Sequence, residues 1–129
     1  HDKFNGKTFC MNDYVCWSAP VTNLKDWRYE GVIWKHSDDP EKINGPFKEM
    51  YAPDVVQGKD GRYYLYYFMG NHGTIGVAVC DTPAGHYSYL GRVKYPDGTV
   101  LGRKGEKDIW QFDPGVFRDD DGKSFRLRA

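Results

Sequence analysis

The stretch APDVVQGKDGRYYLYYF, residues 52–68, carries the strongest fold signal in the chain because it recurs in outline. Sixty-one positions later, residues 113–127 read DPGVFRDDDGKSFRL, with a proline, a valine and an Asp-Gly turn at matching places. A second, weaker echo links residues 15–31 with residues 79–91. A repeat of about 60 residues with room for about four strands is typical of one blade of a β-propeller. The sequence therefore predicts an all-β fold made of β-propeller blades.

Short runs rich in Val, Ile, Tyr and Phe recur along the chain, and helical periodicity is almost absent. The clearest run, residues 62–68, follows an Asp-Gly pair, which favours a hairpin because both turn positions tolerate positive φ. Further strands are predicted at residues 75–80 and around residues 87–93. The strands that contain Val55 and Val116 should be adjacent inner strands of neighbouring blades, because their sequence patterns nearly coincide.

The repeat divides the chain into one whole blade and two partial ones. We expect residues 1–50 to be the remainder of one blade with its connecting loop, and residues 51–95 to be a complete blade. Residues 96–129 are then a loop and the start of the next blade. Propellers typically need about four or more blades to close around their axis. Residues 1–129 are therefore predicted to form one partial propeller domain. We expect either a missing remainder of the propeller or self-association of copies.

The first residues, His1-Asp2-Lys3, are neither a signal peptide nor an initiator methionine. We therefore expect the true N-terminus to lie elsewhere, and the sequence leaves the localisation open. Composition favours a folded globular protein, with 40% hydrophobic and 28% charged residues. Eighteen basic and eighteen acidic residues give no net field that would attract nucleic acid, and no apolar run reaches the ~20 residues that span a bilayer. Neither nucleic acid nor a membrane is expected as a partner.

No metal and no cofactor are expected from the sequence. The three cysteines, Cys10, Cys16 and Cys80, match no zinc signature and are predicted to be small buried residues. The acidic run at residues 119–121 lacks the alternate-ligand spacing of a calcium loop. It is predicted to be a solvated hairpin turn.

Asp113 is the strongest candidate for a chemical role. The first strand of each propeller blade lines the central funnel, and Asp113 opens such a strand. The repeat places the uncharged Ala52 at the same position one blade earlier. A carboxylate there would orient sugar hydroxyls and tune a neighbouring acid, or it would cap the turn before Pro114. The residues alone leave both roles open.

Four motifs, in order along the chain, resemble those of glycoside hydrolase family 43. They are the stretch at residues 1–27, YAPD with GRYYLYY at residues 51–67, IGVAVCDTPAG at residues 75–85, and FDP with DDDGK at residues 112–123. Each motif is weak alone, but their order and the matching blade period make the resemblance specific. It implies a fragment of a five-bladed β-propeller glycosidase that acts on arabinose- or xylose-containing plant polysaccharides or oligosaccharides.

The resemblance also implies an inverting mechanism with three carboxylates: an Asp base, a Glu acid, and a helper Asp that raises the pKa of the acid. Inversion needs the two reacting carboxyl groups about 6.5–9.5 Å apart, with room for a water. Asp113 falls on the helper position, as pKa modulator and substrate-orienting residue. The base is expected upstream of His1 and the acid beyond Ala129, so the isolated chain is predicted to be inactive.

Five further residues are predicted to contact carbohydrate: Asp2, Tyr51, Asp54, Trp110 and Phe112. Tyr51 stands where the family usually has Trp and would stack on a sugar, while Trp110 and Phe112 would form subsite walls. Asp54 lies on the same side of its strand as the Ala52 position, and Asp2 ends a strand at the funnel rim. A purely structural role stays open for each of them.

Two other functions fit the same sequence. One is a non-catalytic carbohydrate-binding propeller that has lost its acid or base, and the other is an inert structural fragment. An Asp-Pro pair at the first funnel strand, upstream of His1, would favour the enzyme. The mass of the native particle would separate a fragment from an assembly of copies.

Overall fold

The computed structural model describes residues 13–41, 49–70, 73–102, 108–109 and 111–127. Within these ranges the chain forms β-strands and one short 3₁₀ turn, His36–Asp38, with no α-helix. The strands are β1 (Tyr14–Ser18), β2 (Arg28–Trp34), β3 (Asp54–Gln57), β4 (Tyr63–Phe68), β5 (Ile75–Cys80), β6 (Ser88–Arg92), β7 (Gly115–Arg118) and β8 (Ser124–Leu127). The predicted all-β fold is confirmed. No helix of the described residues is long and apolar enough to cross a membrane.

The strands form three antiparallel sheets. A central sheet has the order β3-β4-β5-β6, while β1 pairs with β2 and β7 pairs with β8. Each sheet follows chain order, so neighbouring strands are joined by hairpins. A four-stranded antiparallel meander is the unit from which propellers are built by radial repetition.

The two repeated stretches form equivalent hairpins, β3–β4 and β7–β8. Both turns end in a glycine with positive φ, 80° at Gly61 and 77° at Gly122, a conformation that a side chain would disfavour. The Gly61 amide donates to the Gly58 carbonyl and the Gly122 amide donates to the Asp119 carbonyl. The Asp-Gly pairs thus act as hairpin turns, as the sequence predicts.

Asp54 joins the two hairpins. Its Oδ2 accepts a hydrogen bond from the Val116 amide of β7 at 2.6 Å, and its Oδ1 accepts from the Val55 amide at 2.8 Å. β7 therefore lies beside β3, and the prediction that the strands of Val55 and Val116 are neighbours is confirmed. One carboxylate connects the first strands of two successive sheets.

The hydrophobic core lies between the β1–β2 sheet and the central sheet. Trp34 packs against Tyr67 with ring centroids 5.0 Å apart, and both side chains are fully buried together with Leu65 and Ala78. β4 shows the expected alternation, since Leu65 and Tyr67 point into this core. A Cβ added at Gly76 would lie 2.2 Å from Cζ of Tyr67, so glycine is required for the close approach of that ring.

A buried ionic cluster ties the connection after β2 to the outer strand β6. Arg92 Nη2 lies 2.8 Å from Asp39 Oδ2, with side-chain exposures of 2% and 1%. Tyr67 donates its hydroxyl to the same carboxylate at 2.7 Å, and Tyr89 donates to Glu41 at 2.9 Å. Burial, reinforced by Glu41, raises the pKa of Tyr89 to about 12. Burial, with Asp39 as the second cause, also raises the pKa of Tyr67. These phenols therefore stay neutral donors at physiological pH.

We expect Asp39→Ala to lower the free energy of unfolding by about 3–5 kcal/mol, because the buried Arg92 would lose its nearest anion and keep only Glu41, whose Oε1 lies 3.4 Å from Nε. The double variant Asp39→Leu/Arg92→Met should recover much of this loss, since no buried charge is left. Urea unfolding of the protein that carries this chain measures both effects, with Asp26→Ala in the exposed β1–β2 connection as the control. A double variant as unstable as Asp39→Ala would contradict this account.

Candidate active site

The antiparallel hairpins bring several chain segments to one end of the sheets. The residues before β3 continue the β3–β4 pairing, since the Tyr51 amide donates to the Phe68 carbonyl at 3.1 Å. The Gln111 amide, before β7, donates to the Gly73 carbonyl in the β4–β5 connection at 3.1 Å. The candidate residues before β3 and before β7 therefore share this end of the sheets with the β4–β5 connection.

Aromatic side chains line up across this end. The ring centroids of Tyr51 and Phe68 are 5.2 Å apart, and those of Phe68 and Phe112 are 6.5 Å apart. Phe112 is 47% exposed, while Phe68 is buried between the other two. The sequence predictions named Tyr51 and Phe112 but missed Phe68. The signal for Phe68 was the hairpin register, which brings the end of β4 opposite the residues that precede β3.

Asp113 has an unusual backbone conformation. Its φ is 43°, the one positive value of a residue other than glycine among the described residues. L-residues adopt this region at an energetic cost, although Asp and Asn tolerate it better than most. Backbone conformations of this kind cluster at active sites and ligand clamps.

One carboxylate oxygen of Asp113 is buried without a hydrogen-bond partner among the described residues. An Asp that caps a turn would instead accept hydrogen bonds from backbone amides with its side-chain oxygens, and Oδ1 does not do so among the described residues. Buried polar atoms without partners are rare, and each one needs an explanation. The geometry of Asp113 therefore favours a role beyond shaping the turn before Pro114.

The remaining candidates fare differently. Both carboxylate oxygens of Asp54 accept hydrogen bonds from backbone amides, and this favours a structural role. Contact of Asp54 with substrate stays a prediction. Trp110 and Asp2 lie outside the described residues. The structure thus brings Tyr51, Phe112 and Asp113 to one end of the sheets.

Glu49 is a second buried carboxylate at this end, and the sequence predictions missed it. Glu49 is only 8% exposed, and its Oε2 has no hydrogen-bond partner in the described part of the chain. The sequence signal for Glu49 was weak. Its spacing of two residues from Tyr51 is the one feature that distinguishes it from other charged residues, which are usually exposed.

A groove of about 570 Å³ runs between β1 and the start of β3. Its lining is mostly apolar and includes Trp17, Ile33, Tyr51, Pro53 and Leu65. β1 pairs only with β2 among the described strands, so its other edge faces this groove. The groove therefore lies between two sheets and reaches the aromatic side chains at Tyr51.

The described residues contain no group of three metal-ligating side chains. Cys16 and Cys80 are free, half-buried thiols, and burial raises the pKa of Cys16, with Glu30 as the second cause. Cys10 lies outside the described residues. In the acidic turn, Asp121 pairs with Lys123 at 2.9 Å, and hydrogen bonds from Lys123 lower its pKa. The turn thus forms its own exposed ion pair.

Known proteins share both the sequence and the fold. The sequence profile of glycosyl hydrolases family 43 matches residues 6–128. The chain is 59% identical over 116 residues to a xylosidase/arabinosidase of Thermoclostridium stercorarium, covering 90% of this chain and 24% of that protein. It is 34% identical over 128 residues to a xylosidase/arabinosidase of Humicola insolens, covering 94% of this chain and 33% of that protein.

A solved structure agrees with these relatives. The α-L-arabinofuranosidase of Clostridium thermocellum matches with a TM-score of 0.64 and 30% identity, over 98% of this chain and 39% of that one. This chain therefore spans about a quarter to two fifths of the length of these relatives. The profile match covers nearly the whole chain, and the strand order is that of propeller blades. The chain belongs to glycosyl hydrolases family 43.

Proposed function

We propose that this chain is part of an inverting glycosidase that acts on arabinose- or xylose-containing plant polysaccharides or oligosaccharides. The observation that carries the proposal is Asp113, with its positive φ and a buried carboxylate oxygen that has no hydrogen-bond partner among the described residues. Phe112, next to it, continues an aromatic row to Tyr51. A carboxylate beside an exposed aromatic ring suits a sugar, whose apolar face stacks on a ring while its hydroxyls donate hydrogen bonds.

In this proposal Asp113 acts as the helper of a general acid that lies outside this chain. A fixed anion close to a Glu disfavours the ionised form of that Glu, so the acid stays protonated near neutral pH. Protonation of the leaving-group oxygen by the acid and attack by a base-activated water then invert the anomeric centre. The backbone strain at Asp113 fits such a role, since a strained residue persists only where its surroundings hold it.

The proposed enzyme is larger than this chain. We propose residues 1–50 as the remainder of one blade, residues 51–95 as a complete blade, and residues 96–129 as the start of the next. Two observations support this division: the central sheet has four strands, while the β1–β2 and β7–β8 sheets have two each. Among the described strands β1 pairs only with β2, so its other edge is available for a further strand of the first blade. In this arrangement the base and the acid come from other blades of the same polypeptide.

We expect Asp113→Asn in the full-length enzyme to lower kcat by about 100-fold or more, roughly 3 kcal/mol, because the charge that keeps the acid protonated is lost. The pH–rate limb that reports the acid should move to lower pH, since the pKa of the acid falls. Stability should change by about 1 kcal/mol or less, because Asn also tolerates positive φ. Steady-state kinetics across pH and thermal unfolding measure the two effects.

Asp119→Asn, in the exposed turn of the β7–β8 hairpin, is the matched control and should leave kcat unchanged. If Asp113→Asn unfolds the protein while kcat of the folded fraction stays within a few-fold, Asp113 is a turn cap. The proposed helper role would then be wrong.

We also expect the isolated 129-residue chain to hydrolyse neither 4-nitrophenyl α-L-arabinofuranoside nor 4-nitrophenyl β-D-xylopyranoside, because base and acid are proposed to lie outside it. Release of 4-nitrophenol measures the activity, and the full-length enzyme is the positive control. Turnover by the isolated chain that survives repeated purification would refute the placement of these two carboxylates.

A further inference from the structure

Glu49 has a well-defined position before β3. Its carbonyl accepts a hydrogen bond from the Gly70 amide at 3.0 Å, and Met50 forms a bridge with Met69. The antiparallel pairing of β3 with β4 therefore extends beyond both strands, as far as Glu49 and Gly70. Alternate residues of extended backbone point to the same side, so Glu49 and Tyr51 share one side of this pairing.

The carboxylate of Glu49 and the ring of Tyr51 lie together over Gly70. A Cβ added at Gly70 would lie 3.2 Å from Glu49 Oε2 and 3.5 Å from Cε2 of Tyr51. The absence of a side chain at Gly70 thus leaves space for both groups. Because Tyr51 is the first ring of the row that ends at Phe112, the carboxylate stands at the opposite end of this row from Asp113.

The described residues do not explain the burial of this carboxylate. The residue is more than nine-tenths buried, and within the described ranges Oε2 has neither a hydrogen-bond donor nor an ion-pair partner. Burying an unpaired charge opposes folding, so such groups are normally satisfied by a partner. The other carboxylate that follows β2 and is similarly buried, Asp39, has both Arg92 and Tyr67 as partners.

We propose that Glu49 is a substrate-binding residue whose carboxylate accepts hydroxyl hydrogen bonds from a sugar stacked on Tyr51. This inference rests on the proposed glycosidase function. A pyranose or furanose ring that covers Tyr51 presents hydroxyls at its edge, where the carboxylate beside that ring accepts them. Hydrogen bonds to an ionised acceptor are stronger than neutral ones, so Glu49 contributes to affinity and to the choice of sugar.

The test uses the full-length enzyme with 4-nitrophenyl β-D-xylopyranoside and 4-nitrophenyl α-L-arabinofuranoside as substrates, and xylose and arabinose as competitive inhibitors. Glu49→Gln keeps the shape and removes the charge. It should raise KM for the preferred glycoside and Ki for the matching sugar by about ten-fold, with kcat within about three-fold. Glu41→Gln, a carboxylate after β2 bonded to Tyr89, is the matched control and should leave KM and Ki unchanged.

Gly70→Ala is a second, independent variant. The new methyl group at position 70 would crowd the carboxylate of Glu49. The backbone at Gly70 can accept a side chain, because its φ is not positive. Gly70→Ala should also raise KM and Ki. If Glu49→Gln does not fold, Gly70→Ala decides: a raised KM supports the proposal, and an unchanged KM overturns it.

Two failures are distinguishable. A folded wild-type enzyme that hydrolyses neither glycoside and binds neither sugar overturns the proposed function itself. An active wild-type enzyme whose KM and Ki are unaltered by Glu49→Gln overturns only the role of Glu49. A lower melting temperature of Glu49→Gln with wild-type KM would show that the buried carboxylate serves stability alone.

Discussion

The bond from the Val116 amide to Asp54 decides how the two repeated hairpins meet. β3 and β7 are the first strands of the four-stranded and the two-stranded sheet, respectively, and this bond links the two sheets through a side chain. With it, β7 is held beside β3, and the residues that precede both strands reach the same end of the molecule. The relative position of Asp113, Phe112 and Tyr51 therefore depends in part on a carboxylate whose two described hydrogen bonds both come from backbone amides.

The connection that carries Tyr51 and Glu49 is fixed at both of its described ends. At its start, Asp39 and Glu41 are held by Arg92 and Tyr89 of the central sheet. At its other end, the pairing of Glu49 with Gly70 and of Tyr51 with Phe68 continues the β3–β4 ladder. Rigid support on both sides is what a stacking platform needs, because a ring that moves loses its geometry with the ligand.

The sequence predicted the fold well because the decisive signals were local. The repeat, the Asp-Gly turns and the valine- and tyrosine-rich runs each specify strands and hairpins within a few residues. The role of Asp54 was not local, since its partner lies 62 positions away and only the packing of two hairpins reveals the bond. Glu49 and Phe68 were missed for the same reason: their importance comes from the register that places Gly70 and Tyr51 beside them.

The proposed electrostatic role of Asp113 requires a site from which water is excluded, in addition to the right position. Two unit charges about 5 Å apart interact by roughly 3 kcal/mol at an effective dielectric constant of about 20, but by less than about 1 kcal/mol in bulk water. The larger value corresponds to about two units of pKa for the neighbouring acid, and the smaller one to about half a unit. Phe112, one of the two residues beside Asp113, is 47% exposed in this chain, so the described residues leave that side of the site open to water. In the proposed enzyme, the helper would therefore act more strongly once other blades cover Phe112 and exclude water. The proposed role of Asp113 thus depends on blades outside this chain for two things, the exclusion of water and the acid itself.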